Sequence, residues 1–191
     1  MTTNWNTLRD QAYSIACEHG FHDKEQSLEH SLMLVITELS EAIEADRKGK
    51  RANKEQFLRY ENSTTYRHCF ETYIKDSLED ELADAVIRLL DIAGLCEIDL
   101  SIIEHENYPD TYFLKELLRE YHKSCSVSKL TEIAYSACTV ITDFSLIETK
   151  IPLALYVVKT YCAIRNIDLL WHIQKKMEYN KNRPPLHGKR Y

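Results

Sequence analysis

Asp76-Ser77-Leu78-Glu79-Asp80-Glu81-Leu82-Ala83-Asp84-Ala85-Val86-Ile87-Arg88-Leu89-Leu90-Asp91-Ile92-Ala93-Gly94-Leu95-Cys96 decides the fold. Leu78, Leu82, Ala85, Val86, Leu89, Leu90 and Ala93 recur at spacings of three and four, the period of a helix that buries one face. Glu81 and Asp84 stand three apart at the edge of that apolar stripe, so one helix presents two carboxylates on one side. Working backward, Ser27 to Arg47 repeats the arrangement: Leu28, Leu32, Val35, Leu39, Ala42 and Ile43 form a stripe edged by Glu38 and Glu41. Ser27 is a good N-cap, and Gly49 is the expected left-handed residue after the last turn. Packed antiparallel, the two helices bring four carboxylates into one small volume.

Like charges at an apolar seam are costly without compensation. A hard cation such as Mg²⁺ compensates them and accepts carboxylates, water and phosphate oxygens as ligands. Taken singly, either ExxE-type motif describes many solvated helix faces, and Arg88, one turn after Asp84, is expected to pair with it. No His stands three residues after a Glu, which excludes the Glu-x-x-His pairs of di-iron bundles. No GxxxxGK[ST] loop is present, so phosphate must be gripped through metal and side chains.

The rest of the chain reads as helical. Only 4 Gly and 4 Pro in 191 residues argue against an all-β chain, whose hairpins consume turn residues. Further helices are expected over about 6–19, 110–123, 128–147, 152–165 and 168–181, with Pro152 in a first turn. Residues 52–75, polar and aromatic, read as one short helix plus loop, and the tail from Asn182 to Tyr191 as irregular. One all-α domain is expected over 1–191, with the metal-site half at 1–100, a second half at 101–166 and a closing helix and tail at 167–191. Cys96-Glu97-Ile98-Asp99-Leu100 echoes Arg165-Asn166-Ile167-Asp168-Leu169 at an offset of 69 residues, which places Lys150 under Glu81 and Leu153 under Asp84. The second half is therefore expected to be a degenerate copy of the helix pair without its carboxylates.

A formal charge of −6 argues against nucleic-acid and anionic-membrane partners, both of which need a basic footprint. No signal peptide opens the chain and no uncharged apolar run is long enough to span a bilayer. Six cysteines without a CxxC pair read as buried free thiols of a cytoplasmic protein. The basic C-terminus stands out against the acidic remainder. Lys176, Asn180 and Arg183 follow a helical 4-then-3 spacing, so one face offers a cation, an amide and a second cation suited to phosphate and to ribose or base edges.

These residues resemble the MazG-like, all-α nucleoside triphosphate pyrophosphohydrolases. The resemblance lies in Ile36 to Gly49, with Glu38-Leu39-Ser40-Glu41; in Glu81 to Asp91, with Glu81-Leu82-Ala83-Asp84; and in Lys176 to Pro185, with Lys-x-x-x-Asn-x-x-Arg. It covers roughly residues 5–50, 76–100 and 166–191, about half the chain. It implies a Mg²⁺ site (Mn²⁺ as a substitute) at Glu38, Glu41, Glu81 and Asp84, and hydrolysis between the α- and β-phosphates to a nucleoside monophosphate and pyrophosphate. It also implies Glu38 or Glu41 as general base. Lys176, Asn180, Arg183 and Lys48 would hold the nucleotide, with Trp5, Phe21 and His30 as candidates for the base pocket. The nucleotide's identity, ribo- or deoxyribo-, ordinary or non-standard, stays open. Simple members build a four-helix core as dimers. The 52–75 excursion and the long 101–166 insertion depart from them, so a homodimer and a single-chain pseudo-dimer are both open. The competing expectation is a non-catalytic nucleotide sensor or protein-interaction module of the same fold.

Overall fold

The computed structural model describes residues 4–104, 130–142 and 146–188, so the helix expected over 110–123 lies outside the described residues. Among the described residues there are eight α-helices and no strand. They are α1 Trp5–Glu18, α2 Leu28–Arg47, α3 Lys54–Tyr60, α4 Tyr66–Tyr73, α5 Leu78–Leu95, α6 Leu130–Ile141, α7 Ile147–Ile164 and α8 Leu169–Lys181. None is long and apolar enough to cross a membrane.

Local chemistry sets the ends of the two acidic helices. The Ser27 hydroxyl accepts from the His30 N–H at 3.2 Å, and the Ser77 hydroxyl does the same for the Asp80 N–H at 3.2 Å. Past α2, Gly49 sits at φ +65°, with Lys50 N–H on the Ala45 carbonyl and Gly49 N–H on the Asp46 carbonyl, the paired bonds of a Schellman turn. Lys50 then accepts from Leu78 N–H at 3.1 Å, so the end of α2 meets the start of α5 and the two run antiparallel.

The core is built by α2 and α5 packed together and α6 and α7 packed together, the pairs meeting as α2 against α6 and α5 against α7. The 69-residue offset holds in the backbone. Both α5 and α7 are 18 residues long and end on Cys96 (φ −95°, ψ 5°) and Arg165 (φ −89°, ψ 5°). Glu97 and Asn166 follow, both left-handed at φ 55°. Ile98 N–H then bonds the Ala93 carbonyl and Ile167 N–H the Cys162 carbonyl, each at 2.8 Å.

Four expectations need correction. Pro152 is not in a first turn: α7 begins five residues earlier at Ile147, and burial of Ile151, Leu155 and Val158 carries the helix past the N–H that proline lacks. Residues 52–75 hold two helices, α3 and α4, with their own small core of Phe57, Cys69, Phe70 and Ile74 against Tyr179 of α8. The tail contains a 3₁₀ turn, Pro185–Gly188, anchored by Leu186 N–H on the His19 carbonyl at 2.8 Å. Among the described cysteines, Cys69 and Cys162 are buried, whereas Cys17 and Cys96 are exposed.

Gly94 sets the distance between α1 and α5. A Cβ there would lie 2.5 Å from the Tyr13 Cβ. Gly94→Ala should gain about 1 kcal/mol of helix propensity yet destabilise on balance, because overpacking of this kind costs about 1–3 kcal/mol. Urea unfolding that shows the alanine variant more stable would refute the close contact.

Candidate metal centre and adjoining cavities

The antiparallel pairing of α2 and α5 sets Glu38 and Glu41 opposite Glu81. One carboxylate oxygen from each of the three lies within 4.8 Å of the others. Opposite ligands of a Mg²⁺ ion stand about 4.2 Å apart, given bonds near 2.1 Å, so these three oxygens fit a hard divalent cation with little closure. Glu38 and Glu81 are buried, at 4% and 5% exposure, while Glu41 is exposed and leaves the group open to solvent. Burial, then the nearby Asp84 charge, raises the Glu38 pKa against the opposing pull of Arg88. Burial, then the charges of Asp80 and Asp84, pushes Glu81 up to about 8. Three carboxylates beside one guanidinium leave a formal −2, a charge that a divalent cation balances.

The raised Glu81 pKa has a measurable consequence. The folded state binds that proton more tightly than the unfolded chain, whose value is near 4.5. Its stabilising contribution is complete below about pH 4.5 and is lost as pH rises through about 8. The cation-free protein should therefore lose Tm between pH 5 and 8.5, and Mg²⁺ should raise Tm more at pH 8 than at pH 6. A larger Mg²⁺ shift at the lower pH would contradict a cation that displaces this proton.

Asp84 is placed differently. Its Oδ2 lies 2.7 Å from Lys176 Nζ, and the same ammonium donates to both oxygens of Asp80 at 2.9 Å. The four carboxylates read from the sequence are thus arranged as three together and one paired with lysine. Lys176 is 4% exposed and roofed by the rings of Phe70 and Tyr179, 5.6 and 5.9 Å away. Burial lowers its pKa, but the Asp84 and Asp80 carboxylates outweigh that and hold it raised. Lys176, expected to hold the nucleotide, here braces the two aspartates and is not among the residues that line the cavity beside them. The helical spacing does put it on one face with Asn180, but one turn nearer the acidic start of α5. Asp80 went unremarked in the sequence, although it stands four residues before Asp84 on the same helix face.

A cavity of about 80 Å³ opens beside Glu38 and Asp84, lined also by Arg88, Asn180 and Arg183 and walled by Ala12, Ile15 and Phe21. Asn180 is 5% exposed, and its buried Oδ1 has no hydrogen-bond partner among the described residues. A buried acceptor without a partner, on a residue that lines a cavity, invites a donor from a ligand or water. A second cavity of about 230 Å³ shares Phe21, Arg88 and Asp91 with the first as lining residues, and Tyr13, His22 and Gln26 also bound it. His22 Nε2 meets Asp91 Oδ1 at 2.7 Å, and that hydrogen bond raises the imidazole pKa against burial.

Of the expected base-pocket residues, Phe21 stands at the junction of the two cavities. Trp5 is buried in the main core, and His30 lines a third depression with Met33 and Thr37, which shares Lys24, Glu25, Gln26 and Leu34 with the second cavity. Lys48 pairs with Glu44 at 3.1 Å on the exposed end of α2 and lines neither cavity. Arg88 pairs not with Asp84 but across the helix pair: its Nε donates to Glu38 Oε1 at 2.6 Å. Asp84 is already taken by Lys176, a partner some 90 residues away in sequence that helical spacing cannot reveal.

In comparisons with known proteins, no family model, no curated protein and no solved structure matches this chain.

Proposed function

We propose that this chain is a Mg²⁺-dependent nucleoside triphosphate pyrophosphohydrolase of MazG-like type. The observation that carries this reading is the net-negative Glu38–Glu41–Glu81 cluster, whose Glu38 lines a cavity together with Arg183 and with Asn180, whose buried Oδ1 has no hydrogen-bond partner among the described residues. Glu38, Glu41 and Glu81 would hold the cation, Mg²⁺ or Mn²⁺, which when bound supplies charge neutralisation for triphosphate oxygens. Asn180 offers its acceptor to a ribose or base donor, and Arg183 brings positive charge to the same cavity. Glu38 or Glu41, whichever keeps an oxygen off the cation, would take the proton from an attacking water; Glu38 lines the cavity and is held at Oε1 by Arg88. The water oxygen bonds the α-phosphorus, the bond from that phosphorus to the bridging oxygen breaks, and pyrophosphate leaves.

The first cavity is too small for a whole nucleotide, since ligand pockets run to roughly 300 Å³ and above. The second cavity shares Phe21 with the first and is bounded by Tyr13 and His22, which would give the base an aromatic and polar surround. The α6–α7 pair supports the reading of a degenerate copy, with Lys150 and Leu153 standing at the positions of Glu81 and Asp84. On that reading one chain carries one carboxylate site and completes the four-helix core by itself.

The test is incubation with a panel of nucleoside triphosphates and Mg²⁺, with pyrophosphate and nucleoside monophosphate as the readout and EDTA as the control. Release that EDTA abolishes is expected. A nucleotide bound intact for hours would instead favour the sensor, and no binding at all would refute both.

A further inference from the structure

Arg88 occupies a position that the proposed hydrolysis leaves unexplained. It rises from α5 one turn beyond Asp84, and it lines both cavities. Its Nε is committed to Glu38 Oε1 at 2.6 Å. That bond uses one of the five N–H donors of a guanidinium. The side chain is 25% exposed, so the group is not sealed behind Glu38.

We propose that Arg88 is an anion-binding residue: its two terminal amino groups receive a pair of phosphate oxygens from the substrate's polyphosphate chain, while Nε keeps hold of Glu38. The assignment rests on the reading that the ligand carries a polyphosphate. The planar fork of a guanidinium matches paired phosphate oxygens, which the point charge of a lysine does not. The bond to Glu38 couples the two ends of the site. With the carboxylates uncompensated, the field of Arg88 is largely cancelled by Glu38 and its neighbours. Once the carboxylates are balanced by a divalent cation, that field acts on the anion. Cation and anion therefore each strengthen binding of the other by the same factor, as linkage requires.

The probe is inorganic tripolyphosphate, titrated calorimetrically with and without Mg²⁺, with Mn²⁺ binding followed separately by electron paramagnetic resonance. Arg88→Met should weaken tripolyphosphate at least tenfold while Mn²⁺ alone binds as tightly as in the wild type or more tightly, because a cation beside the carboxylates has gone. Arg88→Lys should fall between the two. Arg88→Gln keeps a donor for Glu38 and carries the same test should the methionine variant fail to fold. Tripolyphosphate affinity within twofold of wild type would overturn the assignment. So would a parallel loss of Mn²⁺ binding, the mark of a mere structural prop for Glu38. A wild type that binds both probes through Arg88 yet hydrolyses no nucleotide refutes the enzyme and leaves this assignment standing. Turnover with an unchanged KM in Arg88→Met refutes this assignment alone.

Discussion

Glu41→Gln should abolish Mg²⁺-dependent pyrophosphate release, by at least about a hundredfold, and leave the fold intact. Even the partners that merely orient metal ligands cost about 10–100-fold when removed, and Glu41 contributes an oxygen directly to the three-carboxylate group. Stability should not fall, because Glu41 is exposed and its loss removes one like charge from beside Glu38 and Glu81. Thermal unfolding without cation should accordingly show an unchanged or slightly raised Tm. Asp84→Asn gives a useful contrast. It should also suppress turnover, but with a lower Tm, because Lys176 then keeps only Asp80 as an ionic partner. Unchanged turnover in both variants would end the case for a hydrolytic centre at this seam. Loss of turnover in Glu41→Gln with intact Mn²⁺ affinity would move Glu41 out of the ligand set and leave it the proton-accepting role.

The parts of this arrangement that were legible in the sequence depend on short spacings. Glu38, Glu41 and Glu81 could be found because three-residue spacing beside an apolar stripe fixes a face, and two such faces predict a meeting point. Ser27 and Gly49 were readable because caps are local chemistry. The partners of the cations were not. Arg88 had two acids within reach of its helix position, and its choice of Glu38 over Asp84 depends on Lys176 arriving from α8. The same limit hid the use of residues 52–75. Tyr66, Phe70 and Tyr73 looked like an excursion because their packing surface is α8. There Tyr66 Oη donates to the Lys175 carbonyl at 2.6 Å and Phe70 stacks on Tyr179 at 4.4 Å. That aromatic layer dries the far side of Lys176, and so it contributes to the electrostatics of the carboxylate seam without lining either cavity.

Lys176→Met should be the most destabilising single change near the site, by about 3–5 kcal/mol, the usual cost of leaving a buried charge without its partner. Methionine replaces the lysine stem and keeps most of the packing beneath Phe70 and Tyr179, so the loss isolates the charge. What remains is Asp80, 1% exposed, near Asp84 on the next turn with no ammonium between them. Burial already raises the Asp80 pKa to about 6 against the pull of Lys176, so it must rise further in the variant. The destabilisation is then smaller near pH 5, where Asp80 can protonate, and larger near pH 8, where it cannot do so without cost. Adding Asp80→Asn to Lys176→Met should recover part of the loss, because the amide stays buried without a charge and can still accept the Asp76 N–H that Asp80 now takes at 2.9 Å. Urea unfolding of the single and double variants at both pH values gives the cycle. A loss below about 1 kcal/mol in the single variant, the range of exposed ion pairs, would mean that Lys176 holds nothing together. The brace between α8 and the acidic face of α5 would then have to be sought elsewhere.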